Sequence, residues 1–540
     1  MSKVAQYLQE HIVGEVMTSA DARKYFSTDG SVFELMPQIV VYPRTVSDVR
    51  KVARFTWQLA ERGRILPITA RGKGTDQGGG ALGSGIIMAF PAHMNKLVTI
   101  GKETTTVQPG INYGRLQQAL HTHNRYLPPY PSSIDFCTIG GAVANNAAGE
   151  RSVKYGSIRN YTKSLEVVLA NGEVIRTGRL SKRELGRKMG LTSMEGEVYR
   201  QLDALIMDNW EAIHTAKLDV SKNSAGYDLA DVKHKDGSFD LTPLFVGSQG
   251  TLGIVTEIDL TTEPYNQQAT LLVGFFDSMD SADRAVMELK KLNPCALEFI
   301  DINLLNFLDE HNPKQLAGLV EKPYPQIVLL VEFDNPARIE KKLAKRAAKI
   351  LEKHAMSYKS ESDPEKRDEL WKIRHSAAAV IWQTVGTSKA LPIVEDGIVP
   401  VEKFPEYIHN VYKMFEKYGE KIALWGHAGN ANIHMQPFID LSKTSERQKV
   451  FKIIDEYYRM VISLGGSTSG EHSDGRLRAP YLKELYGDAM YEILQKTKHI
   501  FDPYGTLNPG VKIDVKLKDI VPLLRTEYSM EHLYDHMPRT

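Results

Sequence analysis

The sequence predicts an α+β protein built as two successive units, and three observations predict it. Apolar runs of strand length alternate with amphipathic stretches of helix length along the 540 residues. Pro, Gly and Asn–Gly pairs bound those runs. The pattern closes at Pro264, and a new series of strands and helices begins near residue 268.

Residues 1–36 read as short helices with polar faces. IVVYP from Ile39 is a buried strand stopped by Pro43. Thr45 to Asp48 then starts an amphipathic helix running to about Arg62, with Val49, Val52, Phe55 and Leu59 on one face. ILPITA and GIIMAF are further strands. TTVQPGINYGRLQQALHTHN reads as strand, turn and helix. SLEVVLANGEVI is a hairpin turning at Asn171-Gly172. LFVGSQGTLGIVTEIDLTTEP closes the first unit with two more strands. In the second unit ATLLVGFF and QIVLLVEF are strands, and helices are expected over 364–383, Glu406–Tyr418 and Glu446–Leu464.

Bulk properties narrow the function. A net charge of +1 offers no field to steer nucleic acid. Cys137 and Cys295 stand far apart, which excludes a thiolate-held cluster and a disulfide framework. The first residues lack the apolar core of a signal peptide, and no apolar run reaches the roughly 18 residues of a membrane span. A cytoplasmic protein is expected.

Four segments carry chemistry. In Arg71-Gly72-Lys73-Gly74-Thr75-Asp76-Gln77-Gly78-Gly79-Gly80-Ala81, glycines let backbone N–H groups converge on an anion, with Arg71 and Lys73 adding positive charge. The loop follows a strand, where α/β folds place ligand loops. CTIGGAVANNAAGERSVKYG is dense in small residues, which admits a flat ligand or tight packing of a helix on a sheet. IALWGHAGNANIHMQPF reads as a hairpin whose turn is Gly429–Asn432, so His427 would face His434 and the pair could share a divalent metal. In GGSTSGEHSDGRLRAP, Glu471 could complete that site, and His472 is a candidate general base. Arg374 and Lys389 together could hold a carboxylate.

Taken together and in this order, these segments, with LFVGSQGTLGIVTEIDL and FDPYGTLNPG, resemble the FAD-linked oxidases. The family joins a PCMH-type (vanillyl-alcohol-oxidase-type) FAD-binding domain of two α+β subdomains to an α+β substrate domain with an antiparallel sheet. The D-lactate dehydrogenase, glycolate oxidase subunit and D-2-hydroxyglutarate dehydrogenase group carries these signatures. The resemblance implies an FAD domain over 37–264 and a substrate domain over 265–512; the tail over 513–540 lies outside the match and is expected to pack on the body, contact a partner or be disordered.

It also implies roles. Arg71, Gly72, Lys73, Gly74, Thr75 and Asp76 would cradle the FAD diphosphate. Pro131, Ser132, Thr138, Gly140, Gly141, Asn145 and Gly149 would line the flavin, with Gly156 nearby, Ile254 near the adenine, and Asn508 approaching from the C-terminal side. His427, His434 and Glu471 match metal ligands (Zn, Mn or Fe), His472 the catalytic base, and Arg374 and Lys389 the substrate-carboxylate site. FAD would be non-covalent, since no histidine lies in the diphosphate loop. The implied activity is oxidation of a D-2-hydroxy acid to the 2-oxo acid, with a quinone, cytochrome or electron-transfer flavoprotein as acceptor, a homodimeric assembly and peripheral membrane contact. Two other readings fit the same scaffold: an alkylglycerone-phosphate-synthase-like flavoenzyme, and a non-catalytic FAD-binding electron-transfer subunit. Departures from the family pattern are Asp76 for serine, Gln249 for glutamate, Asn430-Ala431 for Asp-Gly, Gln436 for asparagine and Ser473 for glycine. Asp76 is expected to turn from the diphosphate or to accept from backbone N–H groups.

Overall fold

The computed structural model describes residues 3–311, 314, 316–383 and 387–530. The HLYDHMP stretch of the tail lies outside them. Strands β1 (Glu15–Met17), β2 (Ile39–Tyr42), β3 (Ile68–Arg71) and β4 (Ile86–Ala89) form a first sheet in the order β1-β2-β4-β3. β2, β4 and β3 run parallel. Parallel neighbours need a crossover, and helix Val46–Glu61 supplies it between β2 and β3. A reciprocal capping box of Thr45 and Asp48 starts that helix. The buried Asp48 carboxylate also accepts from the backbone N–H groups of Val13, Gly14 and Arg44, tying the N-terminal segment down.

β5 (Leu97–Ile100), β6 (Thr104–Val107), β7 (Arg125–Tyr126), β8 (Thr162–Val168), β9 (Val174–Arg176), β10 (Ile254–Thr261) and β11 (Glu263–Pro264) follow. β5-β6-β10-β8-β9 is an antiparallel sheet, and β7 with β11 a short ribbon. β8 and β9 pair Val168 with Val174 around the Asn171-Gly172 turn. The LFVGSQG segment, expected as a strand, is a short helix, Thr242–Phe245, and a loop. Gly247, Gln249 and Gly250 have φ of +86°, +51° and +72°, which no pleated strand accommodates.

The second unit is a seven-stranded antiparallel sheet. Its strands are β12 (Thr270–Phe276), β13 (Ala296–Asp301), β14 (Ile327–Phe333), β15 (Ser357–Glu361), β16 (Ser388–Ala390), β17 (Ile422–His427) and β18 (Asn432–Asp440), ordered β15-β12-β14-β13-β17-β18-β16. Leu272, Leu297, Phe299, Leu329 and Val331 pack on one face with Ala285, Leu351, Val411 and Ile454 from four helices. Leu271, Val273, Ile300 and Leu330 pack on the other with Leu304, Leu308 and Trp371. Both faces are covered, so β14 reads as an unbroken apolar run rather than an alternating one.

Asp283 enters the first of these cores from helix Met279–Lys290. Burial, with Asp280 adding to it, pushes its carboxyl up to about 7. The folded form therefore binds the proton more tightly than the unfolded chain. Stability should be unaffected below about pH 4 and fall as pH rises through 7, by up to about 3 kcal/mol. Asp283→Asn should remove that fall, as measured by urea unfolding at pH 5.5 and 8.5.

The C-terminal segment straps the two units together. Residues 506–508 run beside β3, where Leu507 bridges Ile68. Further on, Arg525 donates to the carbonyls of Phe33 and Asp29, and Tyr528 to that of Gly30.

Candidate active site

The β17–β18 hairpin places the two histidines, but in a different register from the expected one. The turn is Ala428–Ala431, so His427 faces Asn432 and His434 faces Trp425. The shift is two residues, which preserves the face. His427 and His434 therefore remain diagonal neighbours, with Nε2 atoms 3.3 Å apart. The turn needs a left-handed residue, and Ala431 supplies it at φ +55°. That conformation costs a non-glycine residue about 1–2 kcal/mol. Ala431→Gly should raise the unfolding free energy by about 1 kcal/mol, measured by urea denaturation. Asn430, the replaced acid, points away from the histidines: it donates to Ser221 Oγ and accepts from Ser152.

Glu471 and His472 arrive on a loop shaped by Asp396. The fully buried Asp396 carboxylate accepts from the N–H groups of Glu471 and His472 and from Ser469 Oγ. Ser473 sits at φ +61°, and its hydroxyl, donating to the Gly247 carbonyl and accepting from Lys512, anchors a position where the family pattern has glycine. The Lys512–Asp474 ion pair, wholly buried, closes the loop from behind.

Glu471 Oε1 lies 3.1 Å from His427 Nε2 and 3.3 Å from His434 Nε2. With the 3.3 Å between the two nitrogens, the three atoms form a nearly equilateral triangle. Ligands 2.0–2.1 Å from one tetrahedral ion are about 3.3 Å apart, so the triangle fits a divalent metal. Asp396, His434, Glu471 and His472 also bring ligand atoms within 4.8 Å of one another. Asp396 is already committed to the loop's donors, which favours the set with His427.

Three supporting groups gave no signal in the sequence. Glu298, fully buried, accepts from His427 Nδ1 at 2.8 Å and from Arg374 Nε at 2.9 Å. Glu395 pairs with the buried Arg478 and lies 3.4 Å from His434 Nδ1. Its Oε2 also lies 2.6 Å from His472 Nδ1, off the line of a good hydrogen bond. Lys222, buried, pairs with Glu471 Oε2. Carboxylates behind ligating histidines fix ring orientation and tautomer. Burial pushes His434 down to about 4, with Glu471 opposing. Burial also disfavours charge on His427, but Glu298 and Glu471 outweigh it and raise it. Burial works to raise Glu471, yet Lys222 and His427 hold it well below the usual carboxylate range.

These groups open on one cavity of about 760 Å³, which His427, His434, Glu471, His472 and Arg374 line together with Pro131, Ser132, Gly141, Asn145, Gly149 and Asp76. Arg374 is 5% exposed and spends only Nε on Glu298, so it is placed to meet a ligand there. Gln436 Oε1, buried in the same wall, has no hydrogen-bond partner. Lys389 is not among the described residues lining the cavity. It sits on β16, where alternation turns Ala390 into the core and Lys389 to the other face.

A narrower channel of about 90 Å³ shares Thr75, Asp76, Gly141 and Asn145 with the cavity, and Gly72, Lys73, Gly74, Thr138 and Gly140 also line it. Here neighbouring chain comes close to the glycine backbone. A Cβ on Gly72 would stand 2.2 Å from Thr138 Oγ1, and one on Gly140 2.5 Å from Pro109. Asp76 accepts from the Gly80 N–H at 2.5 Å and from Asn145 Nδ2 at 2.8 Å, with Gln249 Nε2 at 3.4 Å.

Arg71 lines the channel, while its guanidinium donates to the carbonyls of Phe26, Thr28 and Ala81 and braces the loop. Three cofactor expectations need correction. The Ile254 side chain packs in the core with Ile39 and Val168, while strand alternation gives Val255 to the channel. Asn508 is fully buried and spends its amide on Gly80, Gln249 and Thr69. Gly156 lines neither cavity; its φ of +71° serves a turn closed against Asn160. Conversely, Met530, from the C-terminal strap, lines the large cavity and was not legible as a site residue.

Residues 37–178 match the family model described as an FAD binding domain, and residues 265–511 that of the FAD linked oxidases, C-terminal domain. The glycolate oxidase subunit GlcD of Bacillus subtilis (strain 168) is 30% identical over 485 residues, covering 88% of this chain and 89% of that protein. The chain belongs to the FAD-linked oxidase family. The D-2-hydroxyglutarate dehydrogenase of Escherichia coli (strain K12) is 29% identical over 525 residues, covering 93% of this chain. The chain spans about half the length of that relative, 50%. The fold is that of 4-ethylphenol oxidase from Gulosibacter chungangensis, with a TM-score of 0.67 at 17% identity, covering 95% of this chain and 97% of that one. Among the described residues, no helix is long and apolar enough to cross a membrane.

FAD is the cofactor of this FAD-linked oxidase, and the residues present fit it. The glycine-walled channel with Lys73 suits a diphosphate, and it shares Asn145 and Gly141 as walls with the larger cavity.

Proposed function

We propose that this FAD-linked oxidase is a dehydrogenase that converts a D-2-hydroxy acid to the 2-oxo acid. One observation carries the reading: Arg374, His427, His434, His472 and Glu471 converge on the cavity that shares a wall with the cofactor channel. FAD supplies a two-electron acceptor, and a divalent ion supplies Lewis acidity. His427, His434 and Glu471 hold the ion. Arg374, oriented by Glu298, holds the substrate carboxylate. His472 takes the hydroxyl proton at Nε2, with its Nδ1 lying beside the Glu395 carboxylate. Gln436, with its buried oxygen unpartnered, contacts the substrate from the same wall. The electron acceptor we expect is a quinone, a cytochrome or an electron-transfer flavoprotein. The names of the relatives that match along most of the chain, which act on D-lactate, D-2-hydroxyglutarate and glycolate, support the substrate class.

The test is anaerobic. Purified protein is yellow, and a D-2-hydroxy acid bleaches the 450 nm-region flavin absorbance of about one FAD per chain. A flavin-loaded protein that no D-2-hydroxy acid bleaches would refute the reading.

A further inference from the structure

We infer that the substrate is a monocarboxylic 2-hydroxy acid with a bulky apolar or aromatic side chain, not a dicarboxylate. The inference rests on the hydroxy-acid reading above and deepens it. The substrate's C2 carries a hydroxyl, a carboxylate, a hydrogen and one side chain. Arg374 takes the carboxylate, and His472 with the metal triangle takes the hydroxyl. The side chain must lie against the walls beside those two anchors.

Two indole rings stand beside those anchors. Trp425 stands opposite His434 on the hairpin, their ring centroids 6.5 Å apart. Trp371 lies one helical turn before Arg374. Its ring stacks on His375 at 5.5 Å, and its Nε1 donates to Glu332 at 3.3 Å. Each indole lines the cavity while remaining under 9% exposed. Buried indole faces flanking both anchors recognise apolar or aromatic surface.

A second carboxylate would need a second uncommitted cation, and the cations beside the cavity are already engaged, His375 by Glu150 among them. Besides Arg374, the described arginines lining the cavity are Arg151 and Arg367. They share the buried Glu332, at 2.7 Å and 3.3 Å. Arg151 gives its other nitrogens to Tyr130 Oη and Cys295 Sγ, and Asp334 lies 3.7 Å from it. Arg367 also donates to the carbonyls of Gln267 and Ala269. A second carboxylate here would have to compete with Glu332 and Asp334 for Arg151, Arg367 and Lys154, which already hold both acids.

The experiment is steady-state and anaerobic kinetics of the FAD-loaded chain on D-3-phenyllactate, D-2-hydroxy-4-methylpentanoate, D-lactate and D-2-hydroxyglutarate. We expect kcat/KM for D-3-phenyllactate or D-2-hydroxy-4-methylpentanoate to exceed that for D-2-hydroxyglutarate by about 100-fold or more. Preference for D-2-hydroxyglutarate would overturn the inference and leave the hydroxy-acid reading standing. Reduction by none of the four would overturn both. Trp425→Ala should lower kcat/KM for D-3-phenyllactate about 10-fold more than for D-lactate. Equal losses on both substrates would overturn the role given to Trp425.

Discussion

Replacing His472 with alanine is expected to slow substrate bleaching of the flavin by about 10²–10⁴-fold while FAD stays bound. The ring lines the substrate cavity and is a quarter exposed to it, whereas the backbone of the same residue does separate work. Its N–H donates to Asp396 and keeps the loop in shape, and alanine retains that bond. Glu395 also loses little, because Arg478 still neutralises it. The variant should therefore unfold at the wild-type denaturant midpoint and carry a full complement of flavin. The substrate should bind with near-unchanged affinity, since Arg374 and the metal triangle remain. The effect belongs in kcat, the sign of a group that acts chiefly in the transition state. Stopped-flow absorbance under anaerobic conditions separates the two parameters. A His472→Ala protein that bleaches at the wild-type rate would assign the proton to another group.

How much of this site the sequence discloses depends on how local each signal is. The candidate diphosphate loop is a run of glycines, and the two histidines proposed to hold a metal stand seven residues apart on one hairpin, so both stand out in the sequence. The hairpin register differs by two residues from the expected one, yet His427 and His434 still share a face because sheet faces repeat with that period. Lys222 and Glu298 show the opposite case. Lys222 reaches Glu471 across 249 residues of chain, and Glu298 reaches His427 across 129. A lone charged residue within a strand or loop announces nothing until folding buries it beside its partner. Matching a motif also gives a position without giving a side-chain direction. Ile254, Asn508 and Lys389 lie in recognised segments, but strand alternation or buried hydrogen bonds turn them from the cavity. Two departures explain each other only in three dimensions. Asp76 and Gln249 stand 173 residues apart and meet at 3.4 Å, so the acid and its neutral partner have changed sides of one contact.

Glu471→Gln should have two separable effects, one on metal content and one on stability. The carboxylate uses one oxygen for the metal triangle and the other for Lys222. An amide carries no charge and offers a weaker ligand, so elemental analysis should fall from about one divalent ion per chain to almost none. Lys222, only 3% exposed at its side chain, would then be a buried cation without its counter-charge. Breaking a buried pair by removing one partner typically costs about 3–5 kcal/mol. The two losses could share a cause, since an unstable loop also binds metal poorly. A second substitution divides them. Lys222→Met in the Glu471→Gln background removes the stranded charge and keeps the volume of the stem, so stability should recover by about 2 kcal/mol or more. Metal content should not recover, because the missing ligand oxygen is still missing. Recovery of the ion in the double variant would show that Glu471 supports the loop and does not ligate. Failure to recover stability would show that Lys222 is held by Ser152 and its surroundings rather than by the ion pair. With His427 and His434 kept at 3.3 Å by Glu298 and Glu395, the two-histidine remnant is expected to hold a divalent ion too weakly to survive gel filtration.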